Sequence, residues 1–217
     1  MKYEQIIKEL KKFRNPKNIE GMKQFGIKGE TMLGISMPNI RNLGKKIGKN
    51  HELALKLWKS RIHEARILAS IIDEPKKVTE KQMDLWIKDF DSWDVCDQTC
   101  MNLFYQLPCA YEKAMEWSKR KKEFEKRAGF ALMACLAWKD KKAENKKFIR
   151  FLLIIKKESI DERNFVKKAV NWALRQIGKR NSQLKKEAIK TTKEILKKDS
   201  RTAKWIANDA LRELSKK

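Results

Sequence analysis

The chain has 217 residues, enough for one domain with a sizeable hydrophobic core. It carries 52 Lys and Arg against 28 Asp and Glu, a formal net charge of +24, with only 8 Gly and 4 Pro. So few turn-forming residues argue against a β-sandwich or a barrel, and the composition favours helices. The charge predicts a polyanionic partner such as nucleic acid, the alternative being a solvated, lysine-rich surface.

The four cysteines, Cys96, Cys100, Cys109 and Cys135, form no CxxC pair. We therefore expect buried free thiols and no disulfide, metal site or cofactor. No secretory signal is recognisable, and no apolar run reaches the roughly 20 residues of a membrane span. These features predict a soluble, cytoplasmic protein without a membrane partner.

Apolar residues recur at three- and four-residue spacing along almost the whole chain, which predicts about a dozen short helices. In chain order, Pro38 suits the first turn of one helix and His51 the start of the next. Thr79 followed by Gln82 has the pattern of a capping box, and Pro108 suits the start of a later helix. The predicted fold class is all-α.

The helices also follow a repeating layout. Residues 53–69, 85–97 and 114–134 each contain an apolar helix that ends near a Trp, a polar turn and a second helix, and weaker copies follow. The spacing drifts over roughly 28 to 42 residues, which overlaps the range of HEAT repeats. We predict a HEAT-like α-solenoid of about six antiparallel helix pairs with a concave basic face, one monomeric domain over residues 1–217. A non-repetitive helical bundle is the alternative.

The stretch 91-DSWDVCDQTCMNLF-104 places a tryptophan and several acids at the start of a helix. Ser92 and Asp94 suit the helix N-terminus, where side-chain oxygens and negative charge are favourable. Trp93 and Asp97 are four residues apart and therefore lie on one face. From spacing alone, a packed tryptophan beside a surface acid is the simpler interpretation of that pair.

Two later segments contain residues that could join Trp93 and Asp97 in one site. Arg127 opens the second helix of its pair, and Trp172 lies in the second helix of the next one. If successive pairs stack in parallel, their second helices line one wall. Trp93, Asp97, Arg127 and Trp172 would then stand side by side.

Over most of its length the chain resembles the AlkD-type HEAT-repeat DNA glycosylases, which repair alkylated bases. The similar segments are 33-LGISMPNIRNL-43, 57-LWKSRIHEARILA-69, 92-SWDVCD-97, 127-RAGFALM-133 and 166-VKKAVNWALR-175. In that family a Trp, an Asp four residues later, an Arg and a second Trp surround the damaged nucleotide. These residues match Trp93, Asp97, Arg127 and Trp172.

The resemblance implies a monofunctional DNA glycosylase of base-excision repair. Its substrates would be positively charged N3-alkyladenine and N7-alkylguanine in double-stranded DNA, held without a pocket for a flipped base. Such bases leave without protonation, so the enzyme has to stabilise an oxocarbenium-like sugar. Asp97 would do this as a carboxylate and orient the attacking water. Trp93 and Trp172 would offer π faces, at about 0.5–2 kcal/mol each, and Arg127 would hold a backbone phosphate.

Several further residues are predicted to contact DNA. Phe25 falls where the family often has an aromatic residue near the DNA, although an ordinary buried Phe is an equal alternative. Basic residues that are predicted to bind phosphates, with a steep dependence on salt, are Arg41, Lys45, Lys167, Lys168, Arg175, Lys179 and Arg180. His63, with Glu64 and Arg66, is interpreted as a structural contact between helices.

Two other functions compete with the glycosylase. One is a non-catalytic HEAT-repeat binder of damaged or branched DNA, although relatives of that kind lack some of the four residues that this chain keeps. The other is a protein scaffold, which the charge disfavours. As a DNA-repair protein, the chain would be associated with the nucleoid.

Overall fold

The computed structural model describes residues 1–215, and their regular structure is helical apart from one isolated bridge between Thr31 and Ile62. Two 3₁₀ turns lie at Pro75–Lys77 and Phe104–Gln106. The α-helices in chain order are α1 (Tyr3–Lys12), α2 (Pro16–Gln24), α3 (Met37–Ile47), α4 (His51–Lys59), α5 (His63–Ile72), α6 (Glu80–Lys88), α7 (Trp93–Asn102), α8 (Ala110–Trp117), α9 (Glu123–Lys139), α10 (Asn145–Glu158), α11 (Asn164–Gly178), α12 (Ser182–Leu196) and α13 (Arg201–Leu214). The all-α prediction is confirmed.

The chain divides into two compact units, and the first, Met1–Leu107, contains α1 to α7. Helix α5 packs against α3, α4 and α7. Helices α4 and α6 meet through Trp58 and Trp86, whose rings stack with centroids 3.8 Å apart. The unit therefore has one layer that contains α4 and α6 and a second layer that contains α3, α5 and α7.

The second unit begins at Pro108 and contains α8 to α13. Its helices contact one another as three pairs, α8 with α9, α10 with α11, and α12 with α13. The first helices α8, α10 and α12 also touch in succession, as do the second helices α9, α11 and α13. This two-row arrangement is the HEAT-like repeat that the sequence predicts.

Several polar contacts between neighbouring pairs share a common separation along the chain. In the first unit that separation is 31 residues, as between Trp58 and Asp89. In the second unit it is 38 residues, as between Asn171 and Asp209. The drifting repeat length that the sequence suggests therefore contains two regular values, one in each unit.

Helix α9 is the most deeply packed element of the second unit, since every residue from Glu125 to Ala137 is buried. It approaches α8 closely at Gly129, where an added Cβ would lie 2.8 Å from Ser118 Cα and 2.9 Å from the carbonyl oxygen of Ala114. Within residues 1–215, neither α9 nor another helix combines the length and the apolar character that a membrane crossing requires.

The predicted helix starts at Pro38 and His51 are confirmed, since Pro38 stands in the first turn of α3 and α4 begins at His51. The expected start at Pro108 is wrong by two residues: the short turn after Pro108 separates it from α8, which begins at Ala110. Of the predicted cysteine environments, Cys96, Cys100 and Cys135 are buried and Cys109 is half-buried.

Of the two hydrogen bonds in the capping box predicted at the start of α6, the structure confirms one. Thr79 accepts a hydrogen bond from the backbone N–H of Gln82 over 3.1 Å, as predicted. The Gln82 side chain does not return to Thr79, because it donates to the buried Asp73 over 2.7 Å. A buried carboxylate needs such a donor more than an exposed N-cap does.

Candidate nucleic-acid interface

Trp93 is the first residue of α7, and its ring is held by the segment that follows α2. The indole Nε1 donates a hydrogen bond to the carbonyl oxygen of Phe25 over 3.1 Å. The Phe25 side chain itself is 72% exposed, which excludes the alternative that it is an ordinary buried Phe. The fold therefore ties the Trp93 ring to the backbone of a residue whose own aromatic side chain is exposed, and contact of Phe25 with DNA stays a prediction.

Asp97 lies one turn further along α7, on the Trp93 face, and is partly exposed. Its neighbour Cys96 points into the core and is fully buried. Asp97 therefore lies at the boundary between the buried face and the solvent-exposed face of α7.

A second carboxylate on α7, that of Asp94, is engaged with α5. Its Oδ2 lies 2.7 Å from Nε2 of His63, and the Ser92 hydroxyl donates to its other oxygen. The prediction that Ser92 caps the helix with its side chain is wrong, since Ser92 occupies the N-cap position without a side-chain capping bond. Asp94 attracts that hydroxyl because a charged acceptor makes a stronger hydrogen bond.

The His63–Asp94 contact is an ion pair. Burial raises the pKa of Asp94, but the hydrogen bond and charge of His63 outweigh burial and hold this pKa below its usual range. Burial likewise disfavours charged His63, yet the bond and charge of Asp94, with Glu64 and Asp91, raise the pKa of His63 above its ordinary value. Both shifts therefore favour the charged forms, the imidazolium of His63 and the carboxylate of Asp94.

Glu64 and Arg66, beside His63 on α5, also make structural contacts, which confirms that interpretation. Arg66 donates to Asp91 over 3.2 Å and to the carbonyl oxygen of Asp89 over 3.1 Å. The Glu64 carboxylate, by contrast, accepts the backbone N–H groups of residues 33 to 35, with a shortest distance of 2.6 Å to Gly34. It thereby fixes the segment before α3, where Gly34 has a positive φ of 73°.

A small cavity of about 260 Å³ lies against Trp93 within the first unit. Its lining is mostly aliphatic and methionine side chains, joined by Trp93, His63, Glu64, Asp94 and Gln98. The volume is below the usual range of ligand pockets, about 300–1,000 Å³. Within residues 1–215, no group of three or more His, Cys, Asp or Glu side chains could hold a metal ion.

Arg127 and Trp172 lie on α9 and α11, which contact each other in the second unit. Arg127 is only 5% exposed, and one guanidinium nitrogen donates to the carbonyl oxygen of Phe165 over 2.5 Å. Trp172 is partly exposed and lies two helical turns beyond Phe165, roughly 10 Å along α11. Arg127 thus ties α9 to the start of α11, while Trp172 reaches the surface further along.

The cations predicted to surround Trp172 differ in how they are engaged. Arg175 and Lys179 both form ion pairs with Glu213 on α13. Arg180 donates to the carbonyl oxygens of Ala137 and Ala143 over 3.1 and 2.9 Å. Three of the five cations therefore make ion pairs or hydrogen bonds within the protein, which sequence reasoning missed because those partners are more than 30 residues away.

Four other cations on the predicted phosphate-binding track are at least partly accessible. Lys168 is exposed on α11, and the ammonium of Lys167 lies 4.9 Å from the ring centroid of Trp205. Arg41 and Lys45 are exposed on α3, in the layer of the first unit that also carries α7. The structure therefore places Arg41 and Lys45 in the same layer as Trp93 and Asp97.

Comparison with known proteins finds a matching protein family and a solved structure with a similar fold. The DNA alkylation repair enzyme family matches residues 6–214. A solved structure described as "a new family of proteins related to the HEAT-like repeat DNA glycosylases with affinity for branched DNA structures" superimposes with a TM-score of 0.82 at 22% identity, covering 100% of this chain and 97% of that one. No curated protein matches the chain significantly. With the fold and the nearly complete family match together, the chain belongs to the DNA alkylation repair enzyme family.

Proposed function

We propose that this protein is a monofunctional DNA glycosylase that excises positively charged N3- and N7-alkylated purines from double-stranded DNA. The observation that carries the proposal is the pairing of Trp93 and Asp97 on one face of α7, with the Trp93 ring held by the carbonyl oxygen of Phe25. A fixed aromatic face and a carboxylate one turn apart suit a cationic nucleotide whose sugar gains further positive charge as the base leaves.

Asp97 is the carboxylate that we assign to the reaction. It lies one turn from Trp93 on the same face of α7 and is partly exposed. Asp97 would stabilise the oxocarbenium-like sugar and orient a water molecule toward its anomeric carbon. Because an N3- or N7-alkylated purine already carries a positive charge, its departure needs no general acid.

Trp172 and Arg127, both in the second unit, are the other two residues to which we assign roles. Trp172 is partly exposed and would offer a second π face to the cationic nucleotide. Arg127 would neutralise a phosphate next to the lesion, after its buried guanidinium turns away from the carbonyl oxygen of Phe165. We further propose that the protein acts as a monomer in the cytoplasm, on nucleoid DNA.

DNA binding itself is supported by the formal charge of +24. Lys168 on α11 and Arg41 and Lys45 on α3 are exposed cations that would bind phosphates. Since each phosphate contact releases counterions, the affinity should fall steeply as salt rises.

A second candidate is a non-catalytic protein that binds damaged or branched DNA. The burial of Arg127 favours this reading, because a side chain that is 5% exposed would have to rearrange to reach a phosphate. The structural relative described as having affinity for branched DNA supports the same alternative.

Release of 7-methylguanine from a methylated duplex, measured for the wild type, Asp97→Asn and Asp199→Asn side by side, tests the proposal. We expect release by the wild type and by Asp199→Asn, a change at an exposed acid, and a loss of roughly 10²- to 10³-fold in Asp97→Asn with DNA affinity retained. Equal rates for Asp97→Asn and the wild type would refute the role of Asp97. No release by any of them, with tight binding to a four-way junction, would establish the non-catalytic alternative.

A further inference from the structure

The layer of the first unit that carries α4 and α6 contains a groove of about 560 Å³, within the range of binding pockets. Buried Trp58 and Trp86 and the more exposed Leu55 and Leu85 provide its apolar lining, and Leu85 is 51% exposed. None of these residues has a part in the proposed glycosylase chemistry. The groove also belongs to a different layer from α3 and α7, which carry the predicted DNA contacts of this unit.

The two tryptophans cannot serve as platforms for nucleobases. Their rings lie 3.8 Å apart and nearly parallel, so each covers one face of the other. Phe90 packs its ring against Trp58 and Phe104 packs against Trp86, with centroids 5.9 and 6.3 Å apart. Base stacking requires an open π face, and this arrangement leaves mainly ring edges for a ligand.

The charges around the groove are mostly positive. Lys59, Lys77, Lys81 and Lys88 line it together with the acid Asp89. Asp89 accepts the Nε1–H of Trp58 over 2.9 Å, and Lys77 pairs with Glu74. The exposed Lys59, Lys81 and Lys88 outnumber the exposed Asp89, so an approaching partner meets a net positive charge.

We infer that this groove is a docking site for a partner protein that presents an acidic amphipathic helix. The groove lies along two helices, and a third helix can insert apolar side chains at i, i+3, i+4 and i+7 between them. Acidic residues on the flanks of that helix would meet Lys59, Lys81 and Lys88. An apolar floor offers nothing to a phosphate backbone, which favours a peptide over DNA as the occupant.

A binding titration of the full chain tests this inference. The probe is a fluorescein-labelled peptide of about four helical turns, with Leu at i, i+3, i+4 and i+7 and Glu at most other positions. A peptide of the same composition with scrambled order is the matched control. We expect saturable binding of the periodic peptide, at least tenfold weaker binding of the scrambled one, and weakening when salt is raised.

Two variants locate the binding. Leu85→Glu changes an exposed groove residue and should weaken peptide binding at least tenfold, and Lys81→Glu should weaken it several-fold. Leu153→Glu makes the same substitution at a leucine of α10 that is 60% exposed, and it should leave binding unchanged. Circular dichroism melts confirm that each variant is folded.

The inference is overturned if neither peptide binds, if both bind equally, or if Leu85→Glu and Leu153→Glu behave alike. Competition with duplex DNA tests the alternative that the groove is part of the nucleic-acid surface. If DNA displaces the peptide and Leu85→Glu weakens DNA binding, the groove belongs to the nucleic-acid surface and the inference is wrong. Independent binding of peptide and duplex supports the inference, whether or not the protein excises alkylated bases.

Discussion

The imidazole of His63 and the carboxylate of Asp94 form a buried ion pair, with Nε2 and Oδ2 2.7 Å apart. The pair joins the first residue of α5 to the first turn of α7, next to Trp93. The start of α7, which carries the aromatic residue proposed to face the nucleotide, is therefore anchored by charge as well as by packing.

The stability that this pair contributes should depend on pH in a defined window. Because the folded pKa of His63 is raised, its contribution is fully present below the unfolded pKa of about 6.5 and is lost as pH rises through the folded value. Because the folded pKa of Asp94 is lowered, its contribution is present above about pH 4 and is lost as pH falls through the folded value. His63→Gln should destabilise the protein by about 3 kcal/mol near pH 5.5 and by less near pH 9.

Urea unfolding of the wild type and His63→Gln at these two pH values checks this prediction. The double variant His63→Gln/Asp94→Asn, in which no charge is left without its partner, should recover part of the loss. A difference between wild type and His63→Gln that does not change with pH would mean that the pair is not ionised.

Glu64→Gln should loosen the segment before α3. The carboxylate accepts three backbone N–H groups, and a neutral amide makes weaker bonds and offers one acceptor oxygen in place of two. A loss of about 2 kcal/mol should speed hydrogen exchange at the amides of residues 33 to 35 by about 30-fold. Glu52→Gln, at an exposed position of α4, should leave exchange there unchanged; if both variants exchange alike, Glu64 does not hold the segment.

Gly129→Ala should be strongly destabilising, by about 3 kcal/mol or more, because the new methyl group would meet the backbone of α8 at Ser118 and Ala114. Gly21→Ala is the matched control, since nothing lies within 4 Å of a Cβ at Gly21. There the substitution should stabilise helix α2 by about 0.5–1 kcal/mol. Thermal unfolding of both variants tests these opposite changes in stability. Similar melting temperatures for the two would contradict the close approach of α8 and α9.

Glu213→Gln should increase the affinity for DNA. Glu213 pairs with Lys179 and Arg175, and Arg175 also lies 3.7 Å from Asp209, so Lys179 is the cation that would become available to phosphates without Glu213. The slope of log affinity against log salt should steepen by about 1. Glu162→Gln makes the same charge change at an exposed position without those neighbours and should alter the slope less. Equal slopes for the two variants would show that Lys179 does not contact DNA.

The fold could be predicted from sequence because helix periodicity is a local signal. Apolar residues such as Leu53, Leu57 and Trp58 on α4, or Met83, Trp86 and Ile87 on α6, identify a buried face within a few residues. Side-chain capping bonds were harder to predict wherever a side chain had a competing partner, as at Gln82, which donates to Asp73. Such competition depends on tertiary packing that a local pattern does not contain.

In the candidate site, too, local spacing predicts some features, whereas contacts between residues distant in sequence are not predictable from it. The spacing of Trp93 and Asp97 predicts a shared helix face, which the structure confirms. The bonds of His63 to Asp94, Glu64 to Gly34 and Arg175 to Glu213 join residues 30 or more positions apart. A sequence shows that Arg175 is positive but not that Glu213 lies beside it, so a count of cations overestimates the charge available to a ligand.

The recurring separations of 31 and 38 residues also bear on how this chain tolerates changes in length. Each of these bonds joins one helix pair to the next, so stability passes between nearest neighbours. A residue inserted into an exposed turn changes the numerical separation of the two partners and leaves the partners themselves in place. Over evolutionary time such a chain can gain or lose residues in its turns while the bonds between repeats persist, and relatives then diverge in repeat length before they diverge in architecture.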